Sequence, residues 1–216
     1  MRQTIVLATT NKGKIREIRE LLKDHPIDIK KLSDFGPTPE VIEDGETFDE
    51  NAYIKSSFTA RILGYPAMAD DSGLCVAALD GAPGVYSARY AGEKATDEQN
   101  IKKMLLDMKD KDNRNAIFKC VISIAVPTGA ALTYEGKCPG VLTRTPAGEN
   151  GFGYDPLFFY PDMNKTFAQL SMKEKGSVSH RGKALQQVVR EIGKIIDWID
   201  INMPQFEKKG CKGKKT

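Results

Sequence analysis

Short apolar runs and amphipathic stretches alternate along the first half of the chain. Thr4–Thr9 (TIVLAT) is a compact run of strand-forming residues and predicts a buried strand. It breaks at Thr10-Asn11-Lys12-Gly13, and Ile15, Ile18, Leu21 and Leu22 then recur at helical spacing, with Pro26 beyond the helix end. Residues 33–45 read as loop, punctuated by Pro37, Pro39 and two glycines. Thr47-x-x-Glu50 has the form of a capping box and predicts a second helix, with Phe48, Ala52, Phe58 and Ile62 as its buried stripe and Gly64 and Pro66 as its stop. Ala67–Ala69 reads as the end of a short strand broken by Asp70-Asp71-Ser72-Gly73, and Leu74–Leu79 as another strand.

Asp80–Gly92 is glycine-rich and loop-like. A second capping box, Thr96-x-x-Gln99, opens a third helix with Ile101, Met104, Leu105 and Met108 inside. A β region follows: Ala116–Val126, a Pro127-Thr128-Gly129 turn, Ala131–Lys137 and Val141–Arg144. Asn150–Pro156 is a glycine-rich loop leading into a strand at Leu157–Tyr160. A short helix is expected near Phe167–Glu174 and a long last helix from about Gly182 to Asn202. Early strand–helix alternation followed by a hairpin predicts an α/β fold with a mixed sheet. The late β segment is the candidate for a second lobe. Residues 1–206 are expected to form one domain, and 207–216 a basic, disordered tail.

Composition narrows the function classes. The chain has 216 residues, enough for a substantial core, and its formal net charge is only +3. Much of that excess sits in the tail (EKKGCKGKKT), so no general nucleic-acid-binding surface is expected. Cysteines at 75, 120, 138 and 211 lack metal-site spacing and read as thiols of a reducing cytosol. Neither a signal peptide nor a membrane span is apparent, so a cytoplasmic protein is expected.

Five segments could carry chemistry. The loop Thr9-Thr10-Asn11-Lys12-Gly13-Lys14 leaves a strand and enters a helix N-terminus, where free N–H groups favour an anion. It is not a Walker A loop, since Ala8 and Ile15 stand where Gly and Ser/Thr are required, and a plain polar turn looks much the same. Asp70 and Asp71 are adjacent carboxylates that repel unless a cation compensates, and Mg²⁺ favours such hard oxygen ligands. On a strand they point to opposite faces, so one is expected to face the reaction and the other to tie down the loop. Ser72 beside them can bond phosphate or backbone. Glu43-Asp44 could complete a metal site, or simply be surface acids. In Gly151-Phe152-Gly153-Tyr154-Asp155-Pro156 a glycine-flanked Phe can offer its face to a purine. Lys175 and Ser179-His180-Arg181-Gly182-Lys183 gather donors at the start of the last helix, with Ser179 as N-cap.

Together the segments LATTNKGKIREI, TFDENAYIKS, ADDSGL, GAPGVYSARYAG, FGYDPLFF and SHRGKAL resemble the inosine triphosphate pyrophosphatase family, in the family's order, from about Ile5 to Leu185. The resemblance implies an elongated α/β fold with a central mixed sheet, two lobes, a cleft between them, and a homodimer. It implies Mg²⁺-dependent hydrolysis of non-standard purine triphosphates (dITP, ITP, XTP) to the monophosphate and pyrophosphate. Carried onto this chain, Thr9, Thr10, Asn11, Lys12, Gly13 and Lys14 would bind phosphate. Asp71 would be general base and metal ligand, Glu43 would assist the metal, and Lys55 would lie near the phosphates. Ser72, Phe152, Gly153, Tyr154, Asp155, Lys175, His180 and Arg181 would bind substrate. Thr10 departs from the pattern, since bacterial relatives often have glycine there. The competing readings are a pyrophosphatase for modified pyrimidine nucleotides and a nucleic-acid-binding protein using the tail.

Overall fold

The computed structural model describes residues 2–204, so the expected basic tail over 207–216 lies outside the described residues. Strand β1 (Gln3–Leu7) runs parallel to β2 (Ile27–Lys31) on one side and to β3 (Ala67–Val76) on the other. Beyond β3 the sheet turns antiparallel through β4 (Asn115–Ala125), β5 (Ala131–Leu142), β6 (Phe158–Tyr160) and β7 (Lys165–Thr166). The result is one mixed seven-stranded sheet in the order β2-β1-β3-β4-β5-β6-β7. Its helices are α1 (Lys12–Leu22), α2 (Phe48–Leu63), α3 (Asp97–Asp107), α4 (Met172–Val178), α5 (His180–Arg190) and α6 (Ile192–Asn202). The expected mixed α/β sheet is what the chain forms.

The capping boxes act as the sequence predicts. Thr47 accepts from the Glu50 amide and Thr96 from that of Gln99. Gly64, at φ +70°, ends α2 in the left-handed conformation that suits glycine.

Four expectations need correction. Asp70–Gly73 does not break a strand: β3 runs unbroken from Ala67 to Val76 in register with β4, because both carboxylates find cations and need no solvated turn. Only Ala77–Leu79 leaves the strand, as a single 3-10 turn. Ala131–Lys137 and Val141–Arg144 are likewise one strand. Pro139 is tolerated in β5 because β6 pairs only with Val141 and Leu142, leaving the outer side of Pro139 without a strand partner.

The long last helix is two helices, α5 and α6. Glu191 leaves helical geometry at φ −106°, ψ 11°, its carboxylate takes the Tyr134 hydroxyl at 3.1 Å, and Gly193 follows. Finally, α2 buries only part of the stripe assigned to it, Ala52 fully and Phe48 and Phe58 partly. Ile62 is exposed, while Ala52, Lys55, Ser56, Thr59 and Ala60 face the sheet. Small side chains let α2 lie close to the sheet, where Ser56 Oγ and Ser123 Oγ of β4 meet at 2.8 Å.

The core falls into clusters spaced along the long strands. Ile5, Leu7, Met68, Ile122 and Ile124 pack beneath α1, α5 and α6. Farther along the same strands, Leu74, Val76, Phe118 and Leu142 pack with Met104 and Met108 of α3 and with Leu157, Phe158 and Phe167. Val6, Ala67 and Ala125 meet Ala60 of α2 on the opposite face. β3 continues beyond its pairing with β1 at Leu7–Met68, so Asp70 and Asp71 stand just past the carboxyl end of β1. That is the topological switch point of the parallel part of the sheet, where such folds place their ligands.

The placement of α5 depends on a close approach. A Cβ at Gly136 of β5 would overlap the carbonyl oxygen of His180 and the amide of Ala184. Gly136→Ala is therefore expected to lower stability by about 1–3 kcal/mol or more through overpacking, read as a reduced midpoint in urea.

Candidate active site

Six charged side chains, alternating in sign, form a continuous buried chain across five elements. Lys14 of α1 reaches Asp70 of β3 at 2.5 Å. Asp70 accepts from Arg181 Nε of α5 at 3.0 Å, and Arg181 Nη1 donates to Glu17 of α1 at 2.5 Å. Glu17 accepts from Lys175 of α4 at 2.8 Å, which also donates to Asp155, in the loop before β6, at 2.5 Å. Three cations match three carboxylates, so burial leaves no net charge uncompensated. Asp70 also accepts from Ser72 Oγ at 2.6 Å and from the Cys120 thiol at 2.9 Å.

The opposite face of β3 carries a second constellation. Lys55 Nζ of α2 bridges Asp71 at 2.5 Å and Glu43 at 2.7 Å. Glu43 comes from the long loop before α2, and the buried Asn51 pins that loop. The Asn51 side chain accepts from the Gly45 amide at 2.9 Å and donates to the Gly45 carbonyl at 3.0 Å. Asp70 and Asp71 thus divide as alternation along a strand requires: Asp70 is locked into the structural chain and Asp71 faces Lys55.

A pocket of about 110 Å³ lies on the Asp70 side of β3, lined by Asn11, Lys14, Ser72, Phe152, His180 and Arg181 among others. Phe152 closes it. Its ring sits 4.8 Å from Lys175 Nζ and 5.5 Å from the Arg181 guanidinium carbon, and so close to Gly13 that a Cβ there would come within 2.5 Å of the ring. The Phe152 amide donates to Asp155 at 2.9 Å, and the Gly153 amide to Asp97 of α3 at 2.7 Å. Gly151 and Gly153, at φ +80° and +59°, allow that turn. Tyr154 is buried and donates to the Ser87 carbonyl. His180 is stacked on Phe118 with centroids 4.5 Å apart, and its Nδ1 is buried without a partner among the described residues.

The first loop divides between two places. Asn11 caps α1 by accepting from the Lys14 amide at 3.0 Å, and with Lys14 it lines the pocket. Thr9, Thr10 and Lys12 line a larger groove of about 720 Å³ on the other side of the loop, with Arg16, Arg19 and Lys31. That groove has neither aromatic nor paired carboxylates. The sequence does not single out Glu17, Asn51, Ser87, Asp97 or Phe118, all of which take part. Glu17 was legible, since it lies three residues after Lys14 on the same face of α1. Phe118 was not, because only the β3–β4 pairing brings it beside the pocket.

Burial and charge tune these groups differently. Burial pushes the Asp71 carboxyl up, and Lys55 and Lys14 only partly oppose it. That raises its basicity. Asp70 is held well below the carboxylate range: burial acts upward, but Arg181 and Lys14 outweigh it. Burial works against the charge on Lys55, yet Asp71 and Glu43 hold its pKa above the ordinary value. Burial, then Arg181 and Lys175, push His180 well below its usual value, so it is neutral. As for a metal, no group of three or more His, Cys, Asp or Glu is poised for one among the described residues. Glu43 and Asp71 supply two carboxylates, which fits Mg²⁺ arriving with phosphate oxygens rather than sitting in an all-protein cage.

The fold and the site together define an α/β protein with a pocket lined by cations and an aromatic ring near the sheet's switch point. The chain belongs to the Ham1 family, whose model matches residues 5–191. It is 59% identical over 196 residues to the dITP/XTP pyrophosphatase of Desulfotalea psychrophila, covering 91% of this chain and 88% of that protein. It is 50% identical to the dITP/XTP pyrophosphatase of Escherichia coli K12, covering 85% and 95%. Among solved structures it is similar to a HAM1 protein from Coxiella burnetii, with TM-score 0.82, 44% identity, and 89% and 99% of the two chains covered. The Staphylococcus aureus Ham1 protein gives TM-score 0.80 at 42% identity, covering 89% and 100%. No helix among the described residues is long and apolar enough to cross a membrane.

The neutral His180 sets a pH dependence. Its unfolded pKa is about 6.5 and its folded pKa lies well below, so the unfolded state takes up the proton first as pH falls. Stability is therefore expected to decline progressively below about pH 6.5, and His180→Phe should remove that part of the decline. Thermal midpoints of both proteins between pH 8 and 5 check this.

Proposed function

We propose that the chain hydrolyses non-standard purine nucleoside triphosphates, dITP, ITP, XTP and dXTP, to the monophosphate and pyrophosphate, and so clears them from the precursor pool. The observation that carries this reading is the division of Asp70 and Asp71. One face of β3 offers a pocket with an aromatic ring and hydrogen-bonding groups, and the other offers a raised carboxyl beside a lysine. The names of the relatives favour purines over modified pyrimidines. Nothing among the described residues favours a nucleic-acid partner.

A cavity of about 110 Å³ is small for a nucleotide, since ligand pockets run from about 300 Å³ upward. The Phe152 ring therefore swings off Gly13 as substrate enters and stacks on the base, an interaction worth about 1–3 kcal/mol. The three Arg181 nitrogens make four hydrogen bonds, to Asp70, Glu17 and Ser72, which fixes the guanidinium at the pocket wall. The Phe152 and Gly153 amides are engaged too, so His180, whose Nδ1 has no partner among the described residues, is the remaining donor for the 6-keto oxygen of hypoxanthine or xanthine. Adenine presents an amino donor there instead. A site that leaves buried groups unpaired with the wrong base can discriminate by as much as about 10⁴.

Asn11 and Lys14, with Lys55, hold the phosphates in line for water attack at the α-phosphorus, and Asp71 takes the water's proton. Glu43 and Asp71 would hold magnesium, which would supply charge neutralisation at the phosphate oxygens. Thr9, Thr10, Lys12 and Gly13 belong to the same proposed phosphate loop, the first three from its side that lines the larger groove. A cytoplasmic homodimer belongs to the same proposal. The exposed Tyr53, Ile62 and Tyr65 at and just beyond α2 support an association surface.

Pyrophosphate release from dITP, ITP, XTP, dATP and dGTP, with and without Mg²⁺, tests this reading. Release is expected from the first three only, and only with metal. Equal rates for dATP and dITP, or no effect of chelator, would contradict it. Asp71→Asn should fold normally and lose at least about 10²-fold in turnover, the low end for a positioned base.

A further inference from the structure

The proposed metal ligands are not free to receive a cation. Glu43 Oε2 and Asp71 Oδ1 both bond the same Lys55 ammonium, at 2.7 and 2.5 Å. Lys55 is buried and cannot swing into solvent without leaving both. Its backbone is fixed in the middle of α2, whose small residues hold the helix close to the sheet. The Asn51–Gly45 bonds hold the loop two residues beyond Glu43.

From this arrangement we infer that Lys55 occupies the place of the divalent ion in the substrate-free protein and bars Mg²⁺ from binding alone. The inference rests on the reading of Glu43 and Asp71 as metal ligands. A divalent ion between the two carboxylates would lie a few ångströms from the ammonium. One and two positive charges at about 5 Å repel strongly even at an effective dielectric constant of about 20. Only a polyanion reverses the balance. The triphosphate gives Lys55 new partners as it gives up a carboxylate, and it gives Mg²⁺ the oxygens that complete its shell. The ion therefore enters as the metal–nucleotide complex. Lys55 moves from carboxylate to phosphate in the same event, leaving Asp71 free to act. The empty site stays neutralised, and free divalent ions are not sequestered.

Calorimetric titration of Mg²⁺ tests this without turnover. The parent is expected to bind Mg²⁺ weakly alone and stoichiometrically in the presence of α,β-imido inosine triphosphate. Lys55→Met should bind Mg²⁺ alone at least about tenfold more tightly than the parent. It should also melt lower than the parent without Mg²⁺ and recover part of the loss when Mg²⁺ is added. Lys55→Gln, which keeps a hydrogen-bond donor without the charge, carries the same expectation should the Met variant not fold. Lys55→Arg should bind Mg²⁺ alone as weakly as the parent. If the neutral variants bind Mg²⁺ no better than the parent, or the parent alone already binds it as tightly as with the analogue, the inference is overturned and the metal reading stands. If the parent takes up no Mg²⁺ even with the analogue, the metal reading itself fails and the inference with it.

Discussion

The ion pair of Asp70 with Arg181 is the constraint on which the site depends. Both side chains are buried, and desolvating either alone is costly. Each is therefore extended to further partners, Asp70 to Lys14, Ser72 and Cys120, Arg181 to Glu17, and Glu17 through Lys175 to Asp155. Stability alone does not account for such a chain, since apolar residues of similar volume often fill buried positions at no loss. What it supplies is placement. Segments as far apart in sequence as Lys14 and Arg181 are tied together, so the start of α1, the start of α5 and the Phe152 loop are held to β3 and to one another.

Strand alternation then does the rest. Because β3 passes unbroken through both aspartates, Asp71 faces away from this chain of charges and toward α2. A helix with large apolar residues on its inner face would stand off from the sheet. With Ala, Ser and Thr there, α2 lies close enough for Lys55 to reach Asp71. The two faces make complementary environments from adjacent residues. Asp70 has its pKa depressed by cations that outweigh burial, and Asp71 has its own raised by burial that the cations do not outweigh. One carboxylate is fixed as an anion at all ordinary pH. The other is left more basic than an ordinary carboxylate.

Much of this was legible in the sequence, and the reason is local. Capping boxes at Thr47 and Thr96, the stop at Gly64 and the loop-to-helix turn at Asn11 depend on residues within one helical turn of each other. The opposite facing of Asp70 and Asp71 followed from strand geometry alone. Long-range compensation was not legible. Asp70–Gly73 looks like a solvated acidic turn until Lys14, Arg181 and Lys55 are seen to neutralise it. The buried stripe of α2 was partly misassigned because hydrophobicity pointed to Ile62, while the sheet selects for small residues and for a lysine with a carboxylate to meet. The break at Glu191 was hidden because an apolar repeat continues through it. Of the six charges in the buried chain, only Glu17 was overlooked, although its spacing from Lys14 marks the same face of α1.

The central claim is that adjacent aspartates serve opposite faces, one holding the pocket together and the other acting on phosphate. A crystal structure with Mg²⁺ and α,β-imido inosine triphosphate tests it most directly. The account predicts the base beside His180 and Phe152, Asp70 still paired with Arg181, and Asp71 alone near the α-phosphorus. A base bound elsewhere, or Asp70 rather than Asp71 at the phosphorus, would contradict it.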